Sequence, residues 1–247
     1  MRVSIITPTF NSEKTISDTI KSIDMQTHKN IEHIIVDGLS EDSTYKVISS
    51  FKSESTTRKF ISMADDGIYD AMNKGFQIAS GDIICILNSD DFYKDENVLN
   101  NVVTLFKNDS IGFVYSDAET INNKLDTVRL LKVGNIDKQI SQIPHPCLWV
   151  RREHLSKLTP PFDIKYTIAA DLKFQLQLIH QLKLQYAYLQ MSCTRIRIGG
   201  YSNASISSII EGWKQSYYAV NDVLESGALI YTFKKVLKNT LGFIIRR

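Results

Sequence analysis

The chain has 247 residues, 43% of them hydrophobic and 23% charged, enough to bury one sizeable core and unlike a disordered or fibrous protein. Its 29 basic and 27 acidic residues leave a formal net charge of +2, too balanced to mark a nucleic-acid binder. Three scattered cysteines, Cys85, Cys147 and Cys193, suggest neither a disulfide framework nor a metal-ligand pair, and fit a reducing compartment.

In chain order, short β-branched runs alternate with helical patterns through the first half, which predicts stacked β-α units and a mainly parallel sheet. Strands are expected at Val3–Ile6, His33–Val36, Lys59–Met63 and Ile83–Leu87. Between the first two, Thr15, Ile16, Thr19, Ile20 and Ile23 share one face of a helix that Asn11 or Ser12 could cap. A second helix follows Asp42 or Ser43, and a third runs from Ile68 to Ala79, ended by Gly81. Beyond it come a helix near Glu96–Phe106, a strand near Phe113–Tyr115 and a mixed stretch to about Ile143. Helical patterns return at Leu172–Leu182 and Ile206–Leu224.

The last segment, Ala228–Arg247, repeats apolar Leu229, Phe233, Val236, Leu237, Leu241 and Ile244 at helical spacing, with only positive charges among them. That pattern suits a helix lying on an anionic membrane surface, and equally one docked on the domain or on a second copy of the chain, a homodimer. Met1 leads directly into an apolar strand, and no segment has the roughly 20 apolar residues that span a bilayer. A cytoplasmic protein, peripheral at the inner face of the cell membrane, is the expectation.

In an open α/β sheet ligands gather beyond the carboxyl ends of the strands. Three compact polar sets fall there: Thr7-Pro8-Thr9-Phe10-Asn11, Asp37 to Thr44, and Asn88-Ser89-Asp90-Asp91. Each taken singly could be turn and capping chemistry. Asp90 and Asp91, adjacent after a very apolar strand, would repel each other without a cation, and oxygen ligands favour Mg²⁺ or Mn²⁺. Phosphate-cradling glycine loops of the P-loop and dinucleotide type are absent, which argues against those enzyme classes. A fourth cluster, Asp65 to Gly75, runs from a loop into a helix; Asp66 could cap it, or the free backbone N–H groups could face a ligand.

Taken together, Thr7-Pro8-Thr9-Phe10-Asn11, Asp37-Gly38-x-Ser40-x-Asp42-x-Thr44, Asp66-Gly67-Ile68-Tyr69-Asp70-Ala71-Met72-Asn73-Lys74-Gly75 and Asn88-Ser89-Asp90-Asp91 resemble, in order and spacing, glycosyltransferase family 2 with the GT-A fold. Pro144-His145-Pro146, the stretch from Phe162 to Leu172, and Gly199-Gly200-Tyr201-Ser202 extend the likeness over residues 1–202. The resemblance implies an α/β fold with a Rossmann-like nucleotide-binding domain at 1–204, divided into a nucleotide-sugar half (1–115) and an acceptor half (116–204), followed by C-terminal helices at 205–247. It implies an inverting, metal-dependent transfer of a hexose or N-acetylhexosamine from a nucleotide sugar, with UDP as the nucleotide, to a saccharide acceptor. The role it implies is assembly of a bacterial polysaccharide or O-antigen.

By the same resemblance, Thr7, Pro8, Thr9, Asp37, Asp66, Gly67, Asn73, Lys74, Asn88, Ser89 and Asp91 belong to the nucleotide-sugar site, Asp90 binds the metal, and Asp171 is the catalytic base. From its position at a predicted helix start alone, Asp171 reads first as an ordinary N-cap, and the resemblance is what favours the base. Two departures stand out: the first acid of the family's Asp-x-Asp motif is Asn88, and an arginine that many relatives place before the helix asparagine is Met72. Diphosphate neutralisation then falls to the metal, Lys74, Arg195 or Arg197. His145 is a candidate for the acceptor pocket or a phosphate, or a structural residue between two prolines. A lipid-linked acceptor would give the basic tail a purpose. The rival readings are a sugar nucleotidyltransferase, which the glycine-poor first loop disfavours, and a non-catalytic binder of nucleotide or carbohydrate.

Overall fold

The computed structural model describes residues 1–52, 56–136, 143–199, 206–224 and 228–232. Its first half is built as the periodicity predicts. Strand β1 (Val3–Thr9), helix α1 (Ile16–Asp24), β2 (Ile31–Asp37), α2 (Thr44–Ser50), β3 (Thr56–Ser62), α3 (Ile68–Ile78) and β4 (Ile83–Ile86) follow one another, and β3-β2-β1-β4 pair in parallel. Strands β1 and β2 are buried along their whole length, because each face is covered. Ile35 packs with Ile16, Ile20 and Ile48 of α1 and α2, whereas its neighbour Ile34 joins Met72 and Tyr69 of α3 in the main core. That alternation along one strand is the period of two placing successive side chains on opposite faces. Gly75 lets α3 approach closely, since a Cβ there would lie 2.3 Å from the Ile6 Cγ2.

The second half continues the same sheet with mixed direction. It comprises β5 (Phe92–Tyr93), α4 (Val98–Leu105), β6 (Ile111–Ile121), β7 (Thr127–Leu131), β8 (Leu148–Arg151), α5 (Arg152–Leu155), α6 (Ala170–Leu176), β9 (Gln185–Arg197) and α7 (Ile206–Leu224). Among the described residues the nine strands run β3-β2-β1-β4-β8-β6-β9-β5, with β7 beside β6. Strand β8 enters antiparallel between β4 and β6, and β9 lies parallel to β6. The long helical pattern expected after Leu172 divides into α6 and a π-helical turn at Gln177–Gln181.

Helix α7 is fastened to α6 by charge. Lys173 reaches Asp222 at 3.0 Å and Asp163 at 2.8 Å, while Lys165 lies 2.9 Å from Asp222. Residues 228–232 are helical, and Ala228 and Tyr231 pack against Leu172, Leu176 and Val220. Among the described residues no helix is long and apolar enough to cross a membrane. The basic part of the tail, from residue 233 onward, and Gly200-Tyr201-Ser202 lie outside the described residues.

Three capping expectations are corrected. The N-cap position of α1 belongs to Thr15, not to Asn11 or Ser12. Gly67, with φ of 108°, holds the N-cap position of α3; the exposed Asp66 does not cap it, and Asp65 Oδ1 instead accepts from the Gly67 N–H at 2.9 Å. Asp171 lies within the first turn of α6, whose N-cap position belongs to Ala169.

Candidate active site

The carboxyl ends of β1 and β4, the start of α3, the loop before α6 and one face of α7 surround a cavity of about 1410 Å³. Its size exceeds the usual few hundred to about 1,000 Å³ of a single small-molecule site. The loops after β1 and β4 and before α3 contribute polar lining, including Asn11, Ser12, Asp65, Asp66 and Asp90, whereas β7, the segment before α6 and helix α7 contribute largely apolar lining, with Leu131, Ile164, Ile168, Ile209 and Trp213. Asp90 and Asp171 are both in this lining.

The acidic turn folds so that its neighbours diverge. Asp91 is 1% exposed and points inward, accepting from Asn88 Nδ2 at 3.0 Å and from the Arg197 N–H at 3.3 Å. Burial, and then the charge of Asp90, push its carboxyl well above the usual range. Asp90 opens on the cavity, and burial raises its pKa against the opposing charges of Arg197 and His145. A carboxylate held this way gains from an added cation. Asn88 uses its amide inside the protein, with Oδ1 3.1 Å from His145 Nε2. Ser89 and Ser12 share a hydrogen bond of 2.8 Å between their hydroxyls.

Asp171 is 8% exposed. Its Oδ1 accepts from the Leu172 N–H at 2.7 Å and from the Tyr69 hydroxyl at 3.4 Å, and its Oδ2 lies 3.8 Å from His145 Nδ1. Burial first, and the Asp171 charge second, push the Tyr69 phenol far above its ordinary pKa, so it stays a donor. The Tyr69 hydroxyl also donates to the Ile168 carbonyl at 3.0 Å, fixing the loop before α6.

Of the other residues singled out from the sequence, Pro8, Thr9, Asp66 and Gly67 line the cavity, and the buried Thr9 hydroxyl has no hydrogen-bond partner among the described residues. Thr7 turns away and bonds His33 Nε2 at 3.0 Å. Asp37 is 3% exposed, its carboxylate accepting from Ser62 Oγ at 2.7 Å and from the Ser40 N–H at 3.1 Å. Asn73 is buried against Phe162. Lys74 pairs with Asp70 at 2.7 Å, Arg195 with Glu119 at 3.3 Å and Arg197 with Asp18 at 2.6 Å. None of these three cations lines the cavity.

The sequence reading did not single out Lys14 or Trp213. Lys14 is the one lysine or arginine among the described lining residues, and it is exposed. Its place before an amphipathic helix, at the end of a strand whose carboxyl edge faces ligand, was the available signal. Trp213 belongs to a helix remote from the motifs, and nothing local in sequence distinguishes it from a core tryptophan.

Comparison with known proteins agrees with this architecture. The family model described as Glycosyl transferase family 2 matches residues 4–159. An uncharacterized glycosyltransferase of Haemophilus influenzae is 27% identical over 98% of this chain and 96% of its own. The Escherichia coli UDP-Glc:alpha-D-GlcNAc-diphosphoundecaprenol beta-1,3-glucosyltransferase WfgD is 29% identical over 83% of this chain and 79% of its own. Among solved structures, S. aureus TarS 1–349 in complex with UDP-GlcNAc superposes with a TM-score of 0.73 at 18% identity, covering 92% of this chain and 67% of that one. The mannosyltransferase PcManGT from Pyrobaculum calidifontis, in complex with GDP-Man and Mn²⁺, gives 0.70 at 16% identity, covering 92% and 65%. These likenesses identify the GT-A fold, and with more than half its length matched by the family model, the chain belongs to glycosyl transferase family 2.

Proposed function

We propose that the protein is an inverting, cation-dependent glycosyltransferase that moves a hexose or N-acetylhexosamine from a UDP-sugar to a lipid-linked saccharide during assembly of a cell-surface polysaccharide such as an O-antigen. The observation that carries this reading is that Asp90 and Asp171 line one cavity large enough for donor and acceptor together. The polar lining suits the nucleotide, with the exposed Phe10 ring and the unpartnered Thr9 hydroxyl available to the base and ribose. The apolar lining suits the acceptor. The likeness to WfgD, which transfers from UDP-Glc to a diphosphoundecaprenol-linked sugar, supports the choice of nucleotide and acceptor class.

The residues fit a divalent ion delivered with the substrate. Among the described residues no group of three or more His, Cys, Asp or Glu could hold a metal, but Asp90 is a cavity-facing carboxylate with a burial-raised pKa. Mg²⁺ and Mn²⁺ sites of this kind take one or two carboxylates and fill the remaining positions with phosphate oxygens and water. When bound, the ion offsets the charge that develops on the leaving diphosphate. Lys14 adds a cation at the cavity wall. Asp171 takes the proton from the acceptor hydroxyl as that oxygen attacks the anomeric carbon, and one such displacement inverts the centre. Tyr69 and the Leu172 N–H hold the carboxylate in place.

Peripheral attachment to the membrane is part of the same reading. The exposed Leu229 and Ile230 begin the apolar face that the basic tail continues in sequence. Deleting residues 228–247 should abolish sedimentation with anionic vesicles; undiminished sedimentation would remove this element. The activity is tested by screening nucleotide sugars for Mn²⁺- or Mg²⁺-dependent diphosphate release with lipid-linked acceptors. Release of UDP with an inverted product is expected, whereas pyrophosphate release would indicate a nucleotidyltransferase.

A further inference from the structure

We propose that Gln215 is a positioning residue for the transfer: from helix α7 it fixes the backbone of Ile168, and through Ile168 and Tyr69 it sets where the Asp171 carboxylate stands. The proposal rests on the reading of Asp171 as the base. Gln215 lies outside residues 4–159, which the family model matches, and it does not itself line the cavity.

The chain of contacts is short. Gln215 is 8% exposed. Its Oε1 accepts from the Ile168 N–H at 2.8 Å, and its Nε2 donates to Thr167 Oγ1 at 3.0 Å and to Glu211 Oε1 at 3.1 Å. These partners fix the orientation of the amide, because a backbone N–H can only donate and a glutamate oxygen accepts. On the other side of the same residue, the Ile168 carbonyl accepts from the Tyr69 hydroxyl at 3.0 Å, and that hydroxyl stands 3.4 Å from Asp171 Oδ1. A phenol has one hydrogen, so the two acceptors place Tyr69 together, and a shift of one changes its hold on the other. Ile168 also stands three residues before Asp171, in the segment that enters α6.

Helix α7 carries the parts of this grip on one face. Gly212, one turn before Gln215, brings the helix against Ile168: a Cβ there would lie 3.3 Å from the Ile168 Cγ2. Asp222, seven residues after Gln215 and so on the same face, accepts from the Tyr166 hydroxyl at 2.7 Å and from Lys165 Nζ at 2.9 Å. The segment 165–168 is therefore held from α7 at two points. Thr167, Ile168, Gly212, Trp213 and Asp171 share the cavity lining, so the wall that meets the acceptor and the base that deprotonates it form one mechanical unit. Reaction rate is steeply sensitive to such placement, with a misplacement of about 1 Å lowering it about a hundredfold.

The test uses the full chain and Gln215→Met, which keeps the side-chain length and removes its hydrogen bonds. The Leu172 amide reports on Asp171: it lies in the first turn of α6, where amides lack an intrahelical acceptor, and donates to Asp171 Oδ1 at 2.7 Å. Without substrate, NMR hydrogen exchange at Leu172 should quicken about tenfold or more while the amides of β1 keep their rates. An unchanged Leu172, or a rise shared by β1, would overturn the proposal. In turnover with UDP-glucose, Mn²⁺ and an N-acetylglucosaminyl diphosphate lipid, kcat should fall about tenfold with both KM values within about twofold. Glu211→Ala, which leaves the bond to Ile168 in place, should keep the kcat of the unaltered chain. Because Gln215 acts through Asp171, adding Gln215→Met to Asp171→Asn should lower turnover no further. A loss carried by the acceptor KM, an equal loss in Glu211→Ala, or the same loss repeated in Asp171→Asn would also overturn it. Full turnover in Asp171→Asn would instead fail the base reading, and it leaves the Leu172 result standing.

Discussion

Asn73 of helix α3 and Phe162 of the loop before α6 exchange two hydrogen bonds: Asn73 Nδ2 donates to the Phe162 carbonyl at 2.7 Å, and the Phe162 N–H donates to Asn73 Oδ1 at 3.0 Å. The side chain thereby ties α3 to the segment that leads into α6 and Asp171. Asn73→Ala leaves both backbone groups buried without those partners, at about 1–3 kcal/mol each. Urea unfolding should show a loss of about 2–4 kcal/mol, and turnover of the folded fraction should fall as Asp171 loses its support. An unchanged midpoint would remove the tie from the account.

Glu32 is a second structural element, with its side chain fully buried beside Lys59 at 2.7 Å. Burial raises its pKa, but hydrogen bonds from Lys59, Ser4 and Ser80 outweigh it and hold the carboxyl at about 2, against an ordinary 4.5. Because the folded pKa lies below the unfolded one, this stabilisation is present above pH 4.5 and is lost as pH falls toward about 2. Its magnitude is on the order of 3 kcal/mol. Glu32→Gln should lower stability near neutral pH and flatten the acid limb, measured by denaturant unfolding across that window.

Lys14 should act on the donor. Lys14→Ala is expected to raise the donor KM about three- to tenfold, with a smaller difference at high salt because the residue is exposed. Donor titrations at two ionic strengths check this; an unchanged KM at low salt would remove Lys14 from the donor site.

Trp213 should act on the acceptor. A sugar ring stacked on the indole is stabilised by about 1 kcal/mol, so Trp213→Ala should raise the acceptor KM roughly five- to tenfold and leave donor hydrolysis unchanged. A matching loss in donor hydrolysis would place the tryptophan elsewhere in the cycle.

The parallel half of the fold was legible because it obeys local rules: buried β-branched strands, amphipathic helices and polar turns after each strand. Helix α3 is expected to end at Ala79 and ends at Ile78. The mixed half was not. Strand β9 spans Gln185–Arg197 with mostly half-buried residues, and its pattern carries no strong period because its position is set by pairing with β6 and β5. Missing that strand left Arg195 and Arg197 free to be imagined at the diphosphate, whereas the sheet delivers them to Glu119 and Asp18. In the same way Asn73 reads as a ligand in a motif and serves as a tie, because a buried amide is satisfied by a backbone distant in sequence.

The central claim, that the donor turn and Asp171 perform one transfer in one cavity, is tested most directly by Asp171→Asn. UDP-sugar binding, read by calorimetry with Mn²⁺, should be retained, while formation of glycosylated acceptor should fall by about a hundredfold or more. Full transfer by this variant, or loss of donor binding with the acceptor step unaffected, would contradict the account.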